Sequence, residues 1–150
     1  MNILLTGGAG YIGSHICNIL IDLGYKVSTI DNLSTGDIDL IPEKVEHVNC
    51  DISDKNIVSS FIKKNNFDVV MHLAAFTRVS ESVKYPEKYQ LNNFEKAKIF
   101  IDLCLENDLK KIIFSSTGSV YGNLNKDINI KEDEPTNPIN PYSDSKLKFE

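Results

Sequence analysis

The sequence predicts an α/β fold, an open, parallel, doubly wound sheet, from three observations. An apolar strand pattern enters a glycine-rich turn and then a helical pattern within the first 23 residues. Strand-like and helix-like segments alternate along the rest of the chain. The strand segments are rich in β-branched residues and read as buried.

The first strand is Ile3-Leu4-Leu5. After it, Ile12, Ile16, Ile19, Leu20 and Leu23 recur at i, i+4, i+7, i+8 and i+11, which predicts a helix burying that stripe. Between them lies Thr6-Gly7-Gly8-Ala9-Gly10-Tyr11-Ile12-Gly13. It fits both G-x-x-G-x-x-G (Gly7, Gly10, Gly13) and G-x-G-x-x-G (Gly8, Gly10, Gly13). On a strand-to-helix turn, such glycines let the backbone approach a pyrophosphate, and the helix start offers free N–H groups and partial positive charge. Lys26–Ile30 is the next strand and ends at Asp31, placed to accept hydrogen bonds from both hydroxyls of a ribose. The loop Asn32-Leu33-Ser34-Thr35-Gly36 brings no arginine, which favours NAD over NADP.

A short strand over Val45–Asn49 leads to Asp51-Ile52, where Asp51 could reach an adenine amino group. Ser53 or Asp54 is placed to cap a helix carrying Ile57, Val58, Phe61 and Ile62. Asp68–Leu73 is a buried strand, and the small Ala74 and Ala75 after Leu73 allow close backbone approach to a cofactor. A polar loop with Arg78 and Glu81 is expected next, then a long helix opened by Pro86 with the stripe Leu91, Phe94, Ala97, Ile101, Cys104 and Leu105. Lys111–Phe114 is the fifth strand, ending in Ser115-Ser116-Thr117. Residues 122–141, with three prolines, predict a long loop, and a helix begins at Tyr142. Ligands of such sheets sit at the carboxyl ends of the strands, where the glycine loop, Asp31, Ala74-Ala75 and Ser115–Thr117 all fall.

The 150 residues suit one domain, and 41% hydrophobic with 25% charged residues is ordinary for a globular protein. A net charge of −5 invites neither nucleic acid nor an anionic membrane. No apolar run approaches a membrane span, and the immediate strand at the N-terminus leaves no room for a signal peptide. Cys17, Cys50 and Cys104 are scattered, as expected of reduced, packed thiols in a cytoplasmic protein. The three histidines have no ligand spacing, so no metal site is expected.

Tyr142 and Lys146 are spaced i, i+4 and share a helix face. A phenol is a poor base at neutral pH, but a nearby ammonium favours phenolate. With a hydroxyl from Thr117, the pair makes a general base for an alcohol proton while hydride leaves the carbon.

The chain resembles the extended short-chain dehydrogenase/reductase superfamily, and within it the NAD-dependent UDP-glucose 4-epimerases. The matching stretches are residues 6–15, Asp31-Asn32-Leu33, His72–Ala75, Glu81–Pro86, Asn92-Asn93, Phe114–Thr117, Val120-Tyr121-Gly122 and Pro141–Lys146. The resemblance implies a Rossmann-type NAD-binding domain over 1–150, truncated at its C-terminal side and lacking a C-terminal substrate domain. It implies NAD bound by Gly7, Gly10, Tyr11, Ile12, Gly13, Asp31, Asn32, Asp51, Ile52, Leu73, Ala74, Ala75, Asn92 and Ser115, with Tyr142 and Lys146. It implies a catalytic set of Tyr142, Lys146 and Thr117 acting at C4 of a UDP-sugar, and a homodimer in the full-length protein. Relatives that eliminate water carry a carboxylate pair after the catalytic threonine. Gly118-Ser119 stand here, which prefers epimerisation. Another NAD-dependent nucleotide-sugar enzyme, or a non-catalytic NAD-binding fragment, are the alternatives. Thr77 and Arg78 depart from the family pattern near the pyrophosphate, where Arg78 could supply the charge.

Overall fold

A computed structural model describes residues 1–123 and 129–150. The chain forms two compact units: Met1–Ala75 with Lys96–Ser115, and Phe76–Glu95 with Ser116–Glu150.

The first unit is the parallel sheet. Its strands β1 (Asn2–Thr6), β2 (Lys26–Ile30), β3 (Glu46–Val48), β4 (Val69–His72) and β5 (Ile112–Phe114) lie in the order β3-β2-β1-β4-β5. Every pairing is parallel, and the registers Leu5↔Thr29 and Leu5↔Met71 make β1 the centre. Ile3, Leu4 and Leu5 are buried together, which explains why β1 shows no polar alternation. Helix α1 (Tyr11–Asp22) covers one face, where Leu5, Cys17, Val27 and Val45 pack with Ile16, Leu20 and Met71. On the other face His72, one residue on from Met71, meets the ring of Phe100 at 5.5 Å. Phe100 belongs to α5 (Ala97–Glu106), which packs beside α2 (Lys55–Asn65). Asp54 caps α2 by accepting from the N–H of Ile57 at 3.1 Å, so Asp54 rather than Ser53 takes that role.

The second unit holds α3 (Val79–Lys84), α4 (Pro86–Gln90) and α6 (Pro141–Phe149), with a 3₁₀ turn at Gly118–Tyr121. Pro86 and Pro141 each stand in a first helical turn, where a missing N–H costs nothing. Asn140 caps α6 by accepting from the N–H of Ser143 at 2.9 Å.

Three sequence expectations are corrected. The polar loop around Arg78 and Glu81 contains α3: six residues hold a helix because Ser82 is fully buried and its hydroxyl donates to the Val79 carbonyl. On α1 the buried positions are Gly13, Ser14 and Cys17, while Ile12, Ile19 and Leu23 are more than half exposed. Gly13 must face the turn after β1, so of the expected stripe only Ile16 and Leu20 pack against the core. The helix opened by Pro86 is interrupted by a π-helical segment, Leu91–Lys96. The buried face is Tyr89, Asn93, Ala97, Phe100 and Cys104, and Leu91 and Leu105 are left about half exposed. The loop expected over 122–141 has neither helix nor strand before α6 where it is described, and residues 124–128 lie outside the described residues.

Candidate active site

All five strands of the first unit point one way, so their carboxyl ends share an edge. The glycine loop follows β1, Asp31 follows β2, Asp51 and Ile52 follow β3, Leu73 to Ala75 follow β4 and Ser115 follows β5. Gly7 sits at φ +80°, and its carbonyl accepts from the N–H of Gly10 at 3.1 Å. A Cβ on Gly7 would lie 2.9 Å from the Ala74 nitrogen, and a Cβ on Gly13 would lie 2.0 Å from the Gly7 oxygen. The turn closes only because these side chains are hydrogen atoms. Gly10 precedes α1 with extended backbone and no side-chain cap, so no side chain takes the first-turn N–H groups, where Tyr11, Ile12 and Gly13 stand. Tyr11 and Ile12 are exposed beside them.

Asp31 is tied to this turn. One carboxylate oxygen accepts from the N–H of Ala9 at 3.0 Å and the other from the N–H of Leu33 at 2.8 Å. Each oxygen keeps a lone pair, the acceptor pair that vicinal hydroxyls need. Two buried threonines that sequence inspection passes over hold the edge together. The Thr29 hydroxyl accepts from Gly8 N–H at 3.1 Å and donates to the Leu5 carbonyl at 2.9 Å. The Thr6 hydroxyl accepts from the N–H groups of Leu73 and Ala74, both at 3.2 Å, and lies 2.7 Å from His72 Nδ1. The cradle fits a dinucleotide: its backbone stands where a pyrophosphate must come close, with a helix start and a ribose acceptor beside it. Among the described residues no group of three His, Cys, Asp or Glu could hold a metal ion.

Tyr142, Lys146, Thr117 and Asn92 all lie in the second unit. Tyr142 and Lys146 fall one turn apart on α6. The Tyr142 ring is half-buried and meets Tyr89 edge-on, with centroids 6.4 Å apart. Lys146 is 3% exposed, and burial pulls its pKa down to about 8 against an opposing push from Glu150. Thr117 precedes the 3₁₀ turn, and its hydroxyl accepts from the N–H of Ser119 at 3.2 Å and pairs with the Ser119 hydroxyl at 3.0 Å. Ser116 is hydrogen-bonded to Glu150.

Asn93, more than Asn92, organises this unit. Buried at 2% exposure, Asn93 accepts from the N–H of Phe76 at 2.9 Å and donates to the Phe76 carbonyl at 3.0 Å and to the Ser145 hydroxyl at 3.3 Å. It thereby fixes the Phe76 backbone and the turn of α6 between Tyr142 and Lys146. Asn92 donates to Asn93 at 3.0 Å. Tyr89 is fully buried: its single hydroxyl proton faces both the Arg78 carbonyl at 2.8 Å and a Glu81 carboxylate oxygen at 2.9 Å, and its oxygen accepts from the Arg78 N–H at 3.1 Å. A buried amide inside a helical pattern is the one signal that could have found Asn93. Tyr89 looks like core.

The Lys146 value has a consequence for stability. Its folded pKa of about 8 lies below the unfolded 10.5. Between those values the unfolded chain holds more protons, so this lysine makes stability rise with pH across that window. Lys146→Met is expected to stabilise the fold at pH 7 by up to roughly 3 kcal/mol, and the gain should vanish above about pH 10.5. Urea unfolding of both chains from pH 7 to 10.5 measures the difference, in which the contributions of all other groups cancel.

These features define the class: a Rossmann-type α/β protein with a Tyr-Lys helix after its fifth strand. Residues 3–150 match the NAD dependent epimerase/dehydratase family, and the chain belongs to that family. It is 43% identical over 148 residues to a UDP-glucose 4-epimerase of Azospirillum brasilense, covering 99% of this chain and 42% of the relative. It is 41% identical to the UDP-glucose 4-epimerase of Halalkalibacterium halodurans, over all of this chain and 44% of the relative. The crystal structure of a Thermus thermophilus UDP-glucose 4-epimerase complexed with NAD superposes with a TM-score of 0.95 at 34% identity, over 99% of this chain and 48% of that one. A Thermotoga maritima UDP-glucose 4-epimerase solved with UDP-glucose gives 0.92 at 36% identity, over 98% and 48%. The chain thus spans less than half the length of these relatives.

Proposed function

We propose that residues 1–150 act as an NAD-binding Rossmann domain in the 4-epimerisation of a UDP-hexose. The observation that carries this is Lys146, deeply buried one turn from Tyr142, in a chain whose first strand ends in a glycine cradle. The names of the relatives support the same reading.

In this proposal the first-turn N–H groups of α1, at Tyr11, Ile12 and Gly13, receive the pyrophosphate on the floor made by Gly7 and Gly10. Asp31 accepts from the adenosine ribose, with Asn32 beside it. Asp51 and Ile52 would meet the adenine, and Leu73, Ala74, Ala75 and Ser115 the remaining length, while Asn92 is assigned to the cofactor by the resemblance. NAD held there would supply the hydride acceptor, and in its reduced form the hydride donor, for C4 of the sugar. The Tyr142 phenolate takes the proton of the C4 hydroxyl, and the resulting phenol gives it back after the 4-keto sugar has turned. Lys146, with a pKa near 8, remains an ammonium at pH 7 and favours the phenolate by its charge. It also holds the nicotinamide ribose. Thr117 can still donate its hydroxyl proton to the sugar oxygen while accepting from Ser119. Gly118 and Ser119 supply no carboxylate for elimination, which supports epimerisation over dehydration.

Self-association belongs to the same proposal. The place assigned to the second copy is a groove of about 760 Å³ between α4 and α6, lined by Pro86, Leu91, Pro138, Ile139 and Pro141 together with the charged Glu87, Glu95, Asp144 and Lys148. Three buried cysteines without disulfides fit a reducing cytoplasm. No helix among the described residues is long and apolar enough to cross a membrane.

The test is to load the chain with NAD, add UDP-glucose or UDP-galactose, and follow the absorbance of reduced nicotinamide. A sugar-dependent rise is expected. Tight NAD binding with no rise from either sugar would instead define a cofactor platform without turnover.

A further inference from the structure

Asp51 is more heavily engaged than a cofactor-reading carboxylate needs to be. One of its oxygens accepts from the Ser53 N–H at 3.0 Å and from the Ser53 hydroxyl at 2.6 Å. The other accepts from Lys96 Nζ at 2.6 Å and from Asn32 Nδ2 at 3.3 Å. A carboxylate has about four lone-pair sites, and all four are filled by the chain itself. Burial pushes the carboxyl pKa up, but the hydrogen bonds from Lys96 and Ser53 and the Lys96 charge outweigh it and hold the group below its ordinary value. The cation comes from an unusual place. Lys96 is the last residue of the π-helical segment, a distortion that often marks functional sites. The pair is only partly open to water, with side-chain exposures of 29% and 28%. Asn32 adjoins Asp31, so the whole cluster lies at the end of the strand edge assigned to adenosine.

We propose that Lys96 is a specificity-determining latch on Asp51: it occupies the acceptor that an adenine amino group would use and so lowers the affinity of this chain for adenine dinucleotides. This rests on the cofactor reading above. An adenine amino group is a donor, and it gains Asp51 only by displacing Lys96 or the longer Asn32 bond. Removing the lysine frees one acceptor site and leaves Ser53 to orient the carboxylate. Nicotinamide mononucleotide carries no adenine and is indifferent to the latch.

The test compares wild type, Lys96→Met, which keeps most of the apolar stem, and Lys96→Arg, which keeps the charge. NAD, AMP and nicotinamide mononucleotide are titrated into each by calorimetry. Lys96→Met is expected to bind NAD and AMP about threefold to tenfold more tightly, with Lys96→Arg at the wild-type value and nicotinamide mononucleotide unchanged in all three. Carbon NMR of the Asp51 carboxyl in the free chains gives a second readout: its titration should move toward the ordinary aspartate range in Lys96→Met alone. If wild type binds NAD and Lys96→Met binds it equally or less tightly, the latch is overturned while the cofactor reading stands. If none of the three chains binds NAD, the cofactor reading falls and takes the latch with it.

Discussion

Replacing Tyr142 with Phe should lower sugar-dependent reduction of NAD by at least about 10²-fold while weakening NAD binding far less, by at most about the tenfold that one hydrogen bond is worth. The substitution removes one hydroxyl and keeps the ring. The edge-on contact with Tyr89, 6.4 Å between centroids at 88°, is a property of the ring and survives. The cap at Asn140 and the tie from Asn93 to Ser145 do not involve the phenol. The helix therefore stays in place, and only the proton acceptor is gone. Stopped-flow absorbance of reduced nicotinamide, beside an NAD titration, separates the two effects. A parallel loss of NAD affinity would assign Tyr142 to binding alone, and an unchanged rate would remove it from the chemistry.

The second large effect is expected at Gly13. An alanine Cβ there would stand 2.0 Å from the Gly7 carbonyl oxygen, and 2.8 Å from its carbon. Both are backbone atoms of the turn that closes the cradle, so no side chain can swing aside. Relief requires α1 to move off the end of β1. The expected cost is roughly 2–4 kcal/mol of stability, with NAD affinity falling by about 10²-fold or more as the first-turn N–H groups move from the pyrophosphate position. Gly118→Ala is the control, since among the described residues nothing lies within 4 Å of its Cβ and its φ is not in the left-handed range. Thermal unfolding and calorimetry should show Gly13→Ala impaired in both properties and Gly118→Ala in neither.

Much of this was legible in the sequence for identifiable reasons. β-branched residues favour extended backbone, so β2 at Lys26–Ile30, with Val27, Thr29 and Ile30, is found residue for residue. Asp54 and the helix-opening Pro86 are local signals, and they hold locally, whereas Pro141, expected in the loop, opens α6. Failures arose where a tertiary requirement overruled a local pattern. The apolar stripe of α1 lost to the need to turn Gly13 inward. The six residues of α3 are too few for a periodicity to emerge, and their helix depends on Ser82 being buried. The π-helical segment at Leu91–Lys96 breaks the 3.6-residue period on which the stripe from Leu91 to Leu105 was based, and it also brings Lys96 to Asp51. Asn93 and Thr6 act by bridging backbones 17 and 66 or more residues away in the chain. No spacing rule reaches that far.

The central claim joins a cofactor cradle and a Tyr-Lys helix to chemistry at C4 of a hexose. It is tested most directly by incubating the NAD-loaded chain with UDP-galactose deuterated at C4 and locating the deuterium by NMR. The expected result is deuterium on the nicotinamide ring and at C4 of UDP-glucose, both lost in Tyr142→Phe. Deuterium that stays wholly at C4 of UDP-galactose, in a chain that demonstrably holds NAD, would contradict the claim.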